Sequence, residues 1–203
     1  MNLQSWMLSE FLVYLRLGFE HITDVRGYDH ILFVAVLTAS YLGQWRRLFW
    51  LVTAFTVGHS VTLALATLDL LRVSSSLVEL LIPVTILATS LVNTWDREPT
   101  EAPAERTRAA FLKYAIAVGF GLIHGMGFSN FLRAALGSEE SIFVPLLAFN
   151  IGLEIGQLTI VAVLVALAAV FVRWLGVSRR AWVLTVSAIC GVSALVMIVQ
   201  RAP

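Results

Sequence analysis

Cysteine is nearly absent. Cys190 is the only one in 203 residues, so no intrachain disulfide can form and a cysteine-rich zinc module is excluded. Any metal site in this chain has to be built from nitrogen and oxygen. Charge is scarce as well: Asp, Glu, Lys and Arg make up 13% of the residues, while 59% are hydrophobic. An ordinary soluble domain is roughly 25% charged, so this composition reads as that of a membrane protein. The charges that remain nearly cancel, 14 Lys and Arg against 13 Asp and Glu, which leaves no field to draw nucleic acid or an acidic substrate. The opening stretch, MNLQSWMLSEFLVYLRLGFE, lacks the basic region and small-residue cleavage site of a signal peptide. It is expected to stay attached, as an interfacial helix over 1–20. No internal repeat stands out, and no break is long enough to hold a second domain.

What the chain does have is a series of apolar stretches, each near the roughly 20 residues that a spanning helix needs. They run over about 28–44, 47–71, 76–95, 109–131, 142–172 and 181–200. The expected fold is all-α: a single polytopic membrane bundle over 1–203, with six transmembrane helices plus the N-terminal interfacial helix. The first stretch is short for a bilayer, and the fifth is long enough to tilt or protrude. Breaks fall at 44–47, 72–76, 96–108, 136–141 and 175–180.

Arginine and lysine set the expected orientation, because basic loops are retained on the cytoplasmic side. Arg46, Arg47, Arg97, Arg106, Arg108, Lys113, Arg173, Arg179 and Arg180 fall on one side, and only Arg16, Arg26, Arg72, Arg133 and Arg201 on the other. Both termini are therefore expected to face outward. Trp45, Trp50, Trp95, Trp174 and Trp182 gather near the expected cytoplasmic boundary and Trp6 lies opposite, as an aromatic belt would.

With that orientation, the ionisable residues of the spans collect at one depth. Asp29 and His30 lie at the outer end of the first, His59 near the middle of the second, and Glu79 just inside the outer end of the third. His124 lies in the outer half of the fourth, and Glu154 about halfway down the fifth. Asn150, Glu154 and Gln157 form one helical stripe, and Thr56, His59 and Ser60 share a face. Gly152 and Gly156 beside Glu154, and Gly119, Gly121, Gly125 and Gly127 around His124, would let helix backbones approach closely. Burying one charge in a bilayer costs at least about 2.5–3.5 kcal/mol, and no lysine or arginine is expected among this group. A divalent transition metal ion would compensate the carboxylates and accept imidazole lone pairs at once.

Each residue also has a structural alternative. Asp29 would cap the first span, His30 and Glu79 would sit among headgroups, and His59, His124 and Glu154 would bond neighbouring helices. His21 and Asp24 read as solvated. The common depth of the group is what favours metal ligands.

Four segments, GFEHITDVRGYDHILF (18–33), LVTAFTVGHSVTLALA (51–66), GFGLIHGMGFSNFL (119–132) and FNIGLEIGQL (149–158), together resemble the HupE/UreJ family of bacterial membrane proteins. FTVGHS and DHI are similar, more weakly, to the nickel/cobalt permeases. The resemblance covers about residues 17 to 160. It implies a six-helix bundle in a bacterial inner membrane, linked to nickel or another divalent metal in the service of hydrogenase or urease, with metalloenzyme maturation partners. The metal-contacting positions it implies are His21, Asp29, His30, His59, His124 and Glu154. Seven residues separate His21 from Asp29, a longer interval than the family pattern has.

The leading expectation is a permease or metal-binding membrane component for Ni, Co or Zn taken from the outer side. Asp29 and His30 would admit the ion, and His59, His124 and Glu154 would form the central site. Asn150 and Ser60 would orient the ligands, with His21, Glu79 and Gln157 as further candidates near the ion. Whether the chain is an enzyme stays open. An intramembrane zinc-type hydrolase, with Glu154 or Glu79 activating water, fits a site that opens only outward, although no H-E-x-x-H signature is present. A non-catalytic assembly partner, in which the histidines simply pack, is the third class.

Overall fold

The computed structural model describes residues 3–95, 103–129, 132, 134 and 142–202. Of the expected breaks, 136–141 and the first half of 96–108 lie outside these residues, as do Arg97 and Arg133. The named elements are α1 (Leu3–Thr23), α2 (Asp29–Ala39), α3 (Trp45–Thr67), α4 (Ser75–Trp95), α5 (Pro103–Gly127), α6 (Phe143–Ala169, continued by a π turn over Val170–Trp174) and α7 (Arg179–Arg201). No strand occurs among the described residues. Four of these helices, α3, α4, α6 with its π turn and α7, are long and apolar enough to cross a membrane.

The ends of the helices have local causes. Gly43 at φ +79° and Gly176 at φ +71° close the turns after α2 and α6, a conformation that costs glycine little. Ser178 caps α7, its side chain accepting from the Ala181 backbone N–H at 3.1 Å. The Ser40–Gln44 turn explains a departure from expectation. The first apolar stretch was expected to span over 28–44, yet its helix stops at Ala39 after 11 residues, about 16 Å at a rise of 1.5 Å per residue.

Contacts between helices give their directions. Gly127 meets Val78 and Ile82 while His124 meets Thr85, so α4 and α5 run oppositely. Val34, Leu48, Val52 and Val161 cluster near one end of the bundle and His59 faces Phe149 toward the other, so α3 opposes α6. Taken together, α1, α2, α4 and α6 run one way and α3, α5 and α7 the other. Exposed Trp45, Trp95 and Trp174 lie toward one end of the bundle.

Two helix pairs are in backbone contact. A Cβ added to Gly58 would stand 2.1 Å from the Val118 oxygen, one at Gly121 2.1 Å from the Phe55 oxygen, and one at Gly125 2.2 Å from the His59 oxygen. These three glycines seat α5 against α3. Likewise Gly18 would meet the Phe149 oxygen at 2.0 Å and Gly152 the Leu15 oxygen at 1.9 Å, so α1 runs beside the first half of α6. The expectation of a helix lying flat in the interface over 1–20 does not describe this element: α1 continues to Thr23 and packs lengthwise, burying Tyr14 and Ile22. Gly119 has nothing within 4 Å, and Gly127 makes only ordinary contacts. Of the four glycines expected to bring helices close around His124, two do so.

At the Trp45 end, Asn93 ties three helices together. Its amide donates to the Val36 oxygen at 2.8 Å and to Ser187 Oγ at 3.2 Å, and its carbonyl accepts from Ser40 Oγ at 2.7 Å. Arg180 donates to its backbone oxygen at 3.1 Å.

Candidate metal centre

The α1–α6 and α3–α5 contacts bring four imidazoles together. His21 lies in the last turn of α1, His30 in the first turn of α2, His59 in the middle of α3 and His124 in the last turn of α5. One ring nitrogen from each of His21, His30 and His59 lies within 4.8 Å of the other two. Ring centroids are 4.7 Å apart for His21 and His30, 6.0 Å for His21 and His59, and 6.4 Å for His30 and His59. The His124 ring is 5.1 Å from that of His30, and its Nε2 is 3.3 Å from Thr85 Oγ1.

These rings are shut away. His59 is 0% exposed and His124 1%. His21, expected to be solvated, is half-buried and lies against Phe128, ring centroids 3.9 Å apart. That expectation is corrected, because α1 packs along α6 instead of leaving the bundle. Asp24 does lie exposed, accepting from the Arg26 backbone N–H at 2.8 Å. Phe33 and Phe55 wall the other side, 5.3 and 5.2 Å from the His124 ring. Within this shell His21 Nε2, His30 Nε2, both nitrogens of His59 and His124 Nδ1 have no hydrogen-bond partner. A buried polar atom left unsatisfied costs about 1–3 kcal/mol, and here five gather at one place.

Asp29 Oδ1 accepts from the His30 backbone N–H at 2.9 Å and stands 3.0 Å from His30 Nδ1. With Nδ1 turned to the carboxylate, the Nε2 lone pair of His30 is free for the cluster. Asp29 Oδ2 lies 3.8 Å from Arg201 Nη2. The sequence reading found no arginine among these groups; the last residue of α7 supplies one.

Glu154 and Gln157 join a separate pair of contacts, between α6 and α3. Thr53 Oγ1 donates to Glu154 Oε1, and Thr56 Oγ1 donates to Gln157 Oε1, each at 2.7 Å. Thr56 and Thr53 stand one and nearly two turns from His59 toward the Trp45 end. Glu154 is half-buried, and no basic side chain pairs with it among the described residues. Asn150 donates to the Leu146 oxygen at 2.8 Å and leaves Oδ1 without a partner. Ser60 donates to the Thr56 oxygen at 2.7 Å. The Glu79 side chain is exposed, and its backbone oxygen accepts from Arg201.

The sequence alone assigned no place at this centre to Thr85, Arg201, Gly18 or Gly58. Gly18 carried a signal, as the only glycine in an otherwise large-residue helix; the other three carried none that local sequence reveals. Beyond Phe33, toward the Trp45 end, lies a cavity of about 300 Å³ whose lining includes Leu37, Leu51, Ala117 and Phe120. Tyr41, Thr89, Asn93 and Lys113 are its polar contributors.

No curated protein and no solved structure matches this sequence. The family described as HupE / UreJ protein matches residues 1–201. With four helices long and apolar enough to span a bilayer, the chain is a multi-pass membrane protein and belongs to the HupE/UreJ family.

Proposed function

We propose that the protein binds a divalent transition metal ion, nickel foremost, at His21, His30 and His59 and passes it across the membrane from the outer side. The observation that carries this reading is the set of buried, unpartnered nitrogens on three separate helices. Neutral imidazole suits nickel, cobalt and zinc, and a bound cation would satisfy lone pairs that now cost stability. His124 borders the ion, and Asp29 holds His30 for it. Family membership supports metal handling. The distribution of Lys and Arg supports six crossings with both termini outward, α1 and α2 in series making one of them.

Transport needs a way onward. The 300 Å³ cavity is a poor one, because its walls are mostly apolar and offer no replacement for hydration. The α3–α6 seam serves better, with Thr56 and Gln157, then Thr53 and Glu154, offering oxygens one to two turns beyond His59. Oxygen donors hold late divalent ions less tightly than imidazole, so passage from nitrogen to oxygen favours release. A hydrolase would instead need a carboxylate free to activate water beside the imidazoles. Asp29 is engaged by His30 and Arg201, Glu154 by Thr53, and the Glu79 side chain is exposed.

The test is elemental analysis of protein purified with Ni²⁺, followed by uptake into proteoliposomes. One equivalent of metal in the wild type, none in His59→Ala, and Ni²⁺ accumulation by the wild type alone are expected. Metal content unchanged by His59→Ala, or equal uptake by both proteins, contradicts the reading.

A further inference from the structure

We infer that Arg201 is a positioning residue for the metal centre, acting on the ion through Asp29 and His30. This assignment rests on the metal-binding reading above.

Arg201 closes α7, and its two terminal nitrogens meet different partners. Nη1 donates to the Glu79 backbone oxygen at 2.9 Å. In an uninterrupted α-helix that oxygen would accept the N–H four residues on, but position 83 of α4 is proline and has none. The guanidinium therefore fills an acceptor that α4 leaves open, and this anchors its fork at the edge of the centre. Nη2 is thereby carried to 3.8 Å from Asp29 Oδ2.

Asp29 is held from two directions. Arg201 faces one oxygen, while the other stands 3.0 Å from His30 Nδ1 and accepts the His30 backbone N–H. A carboxylate so occupied is not turned toward the ion. It orients the ring that is, presenting Nε2 to the cluster, as the outer partners of metal-bound histidines do. The Asp29 side chain is 13% exposed and that of Arg201 31%, so solvent screens the pair only in part. Residues far apart in the chain thus act in one line: Arg201 sets Asp29, Asp29 sets His30, and His30 meets the ion. The proline that frees the Glu79 oxygen belongs to the same device.

The experiment is calorimetric titration of the full-length protein with Ni²⁺, paired with thermal melting of the metal-free protein. Arg201→Gln is expected to weaken Ni²⁺ binding about 10- to 100-fold, the range typical when an outer partner of a ligand is removed. Arg201→Lys, which keeps the charge but not the fork, recovers only part of that loss. Asp29→Asn weakens binding similarly, and the double variant binds no more weakly than Asp29→Asn alone, because the two act along one route. Additive losses overturn the proposal, as does tighter or unchanged binding in Arg201→Gln. A lowered melting temperature with unaltered affinity makes Arg201 only a brace for the Glu79 oxygen, and also overturns it. A wild type that binds no Ni²⁺ removes the underlying reading, and this assignment with it.

Discussion

Nitrogen lone pairs without partners define the chemistry at the scale of single residues. Both ring nitrogens of His59 and the Nε2 atoms of His21 and His30 lack partners, and each ring, when neutral, has one lone pair to give a metal. Protons compete for the same electron pairs, so Ni²⁺ binding should weaken as pH falls, which titration at stepped pH will check. His21→Ala should cost more affinity than the about 10- to 100-fold expected for an outer partner, since it deletes a donor. His124→Ala should cost less than His59→Ala, because Thr85 already shares its Nε2; equal losses would put His124 among the ligands. How much of this was legible differs by residue. His59 and His124 stand out in sequence because nothing else polar and ionisable lies near them in their apolar stretches. His21 reads as solvated because the charged run after it looks like a loop leaving the bundle, and Gly18, the one local hint of a close helix contact, does not say that α6 is what it meets. Arg201 pairs with groups on α2 and α4 that local sequence cannot connect to it.

At the scale of helices, backbone contact is what brings separate histidines into one cluster. Gly125 faces the His59 oxygen so closely that an added Cβ would sit at 2.2 Å, and the obstacle is backbone, which cannot rotate away. Gly125→Ala should therefore push α5 from α3, lower the melting temperature in detergent by an amount corresponding to about 1–3 kcal/mol, and reduce bound nickel. Gly119→Ala is the control: nothing lies within 4 Å, and alanine favours helix by up to about 1 kcal/mol, so its melting temperature should hold or rise. A Gly125→Ala protein as stable and metal-replete as Gly119→Ala would refute the role given to this contact. The apolar stretches made the helices readable, whereas the pairing of α1 with α6 depends on contacts far apart in sequence. The shortness of α2 was less visible still, because the apolar run continues through Leu42 while the helix ends before the left-handed Gly43.

For the whole molecule, the proposed function makes binding and passage separable. Glu154 stands apart from the three imidazoles and shares a hydrogen bond with Thr53, a bond that glutamine can still accept. Glu154→Gln should keep one tightly bound Ni²⁺ yet lose uptake into proteoliposomes; uptake at the wild-type rate would remove Glu154 from the route. What would first surround a bound ion is the more direct question. X-ray absorption at the nickel edge of purified protein loaded with one equivalent reads this directly. Three imidazoles on three helices predict the multiple-scattering signature of histidine, with nitrogen neighbours at about 2.0–2.1 Å, as zinc–imidazole bonds have, and its reduction in His21→Ala. A first shell of oxygen alone, or a histidine signature unaltered in that variant, would contradict the account.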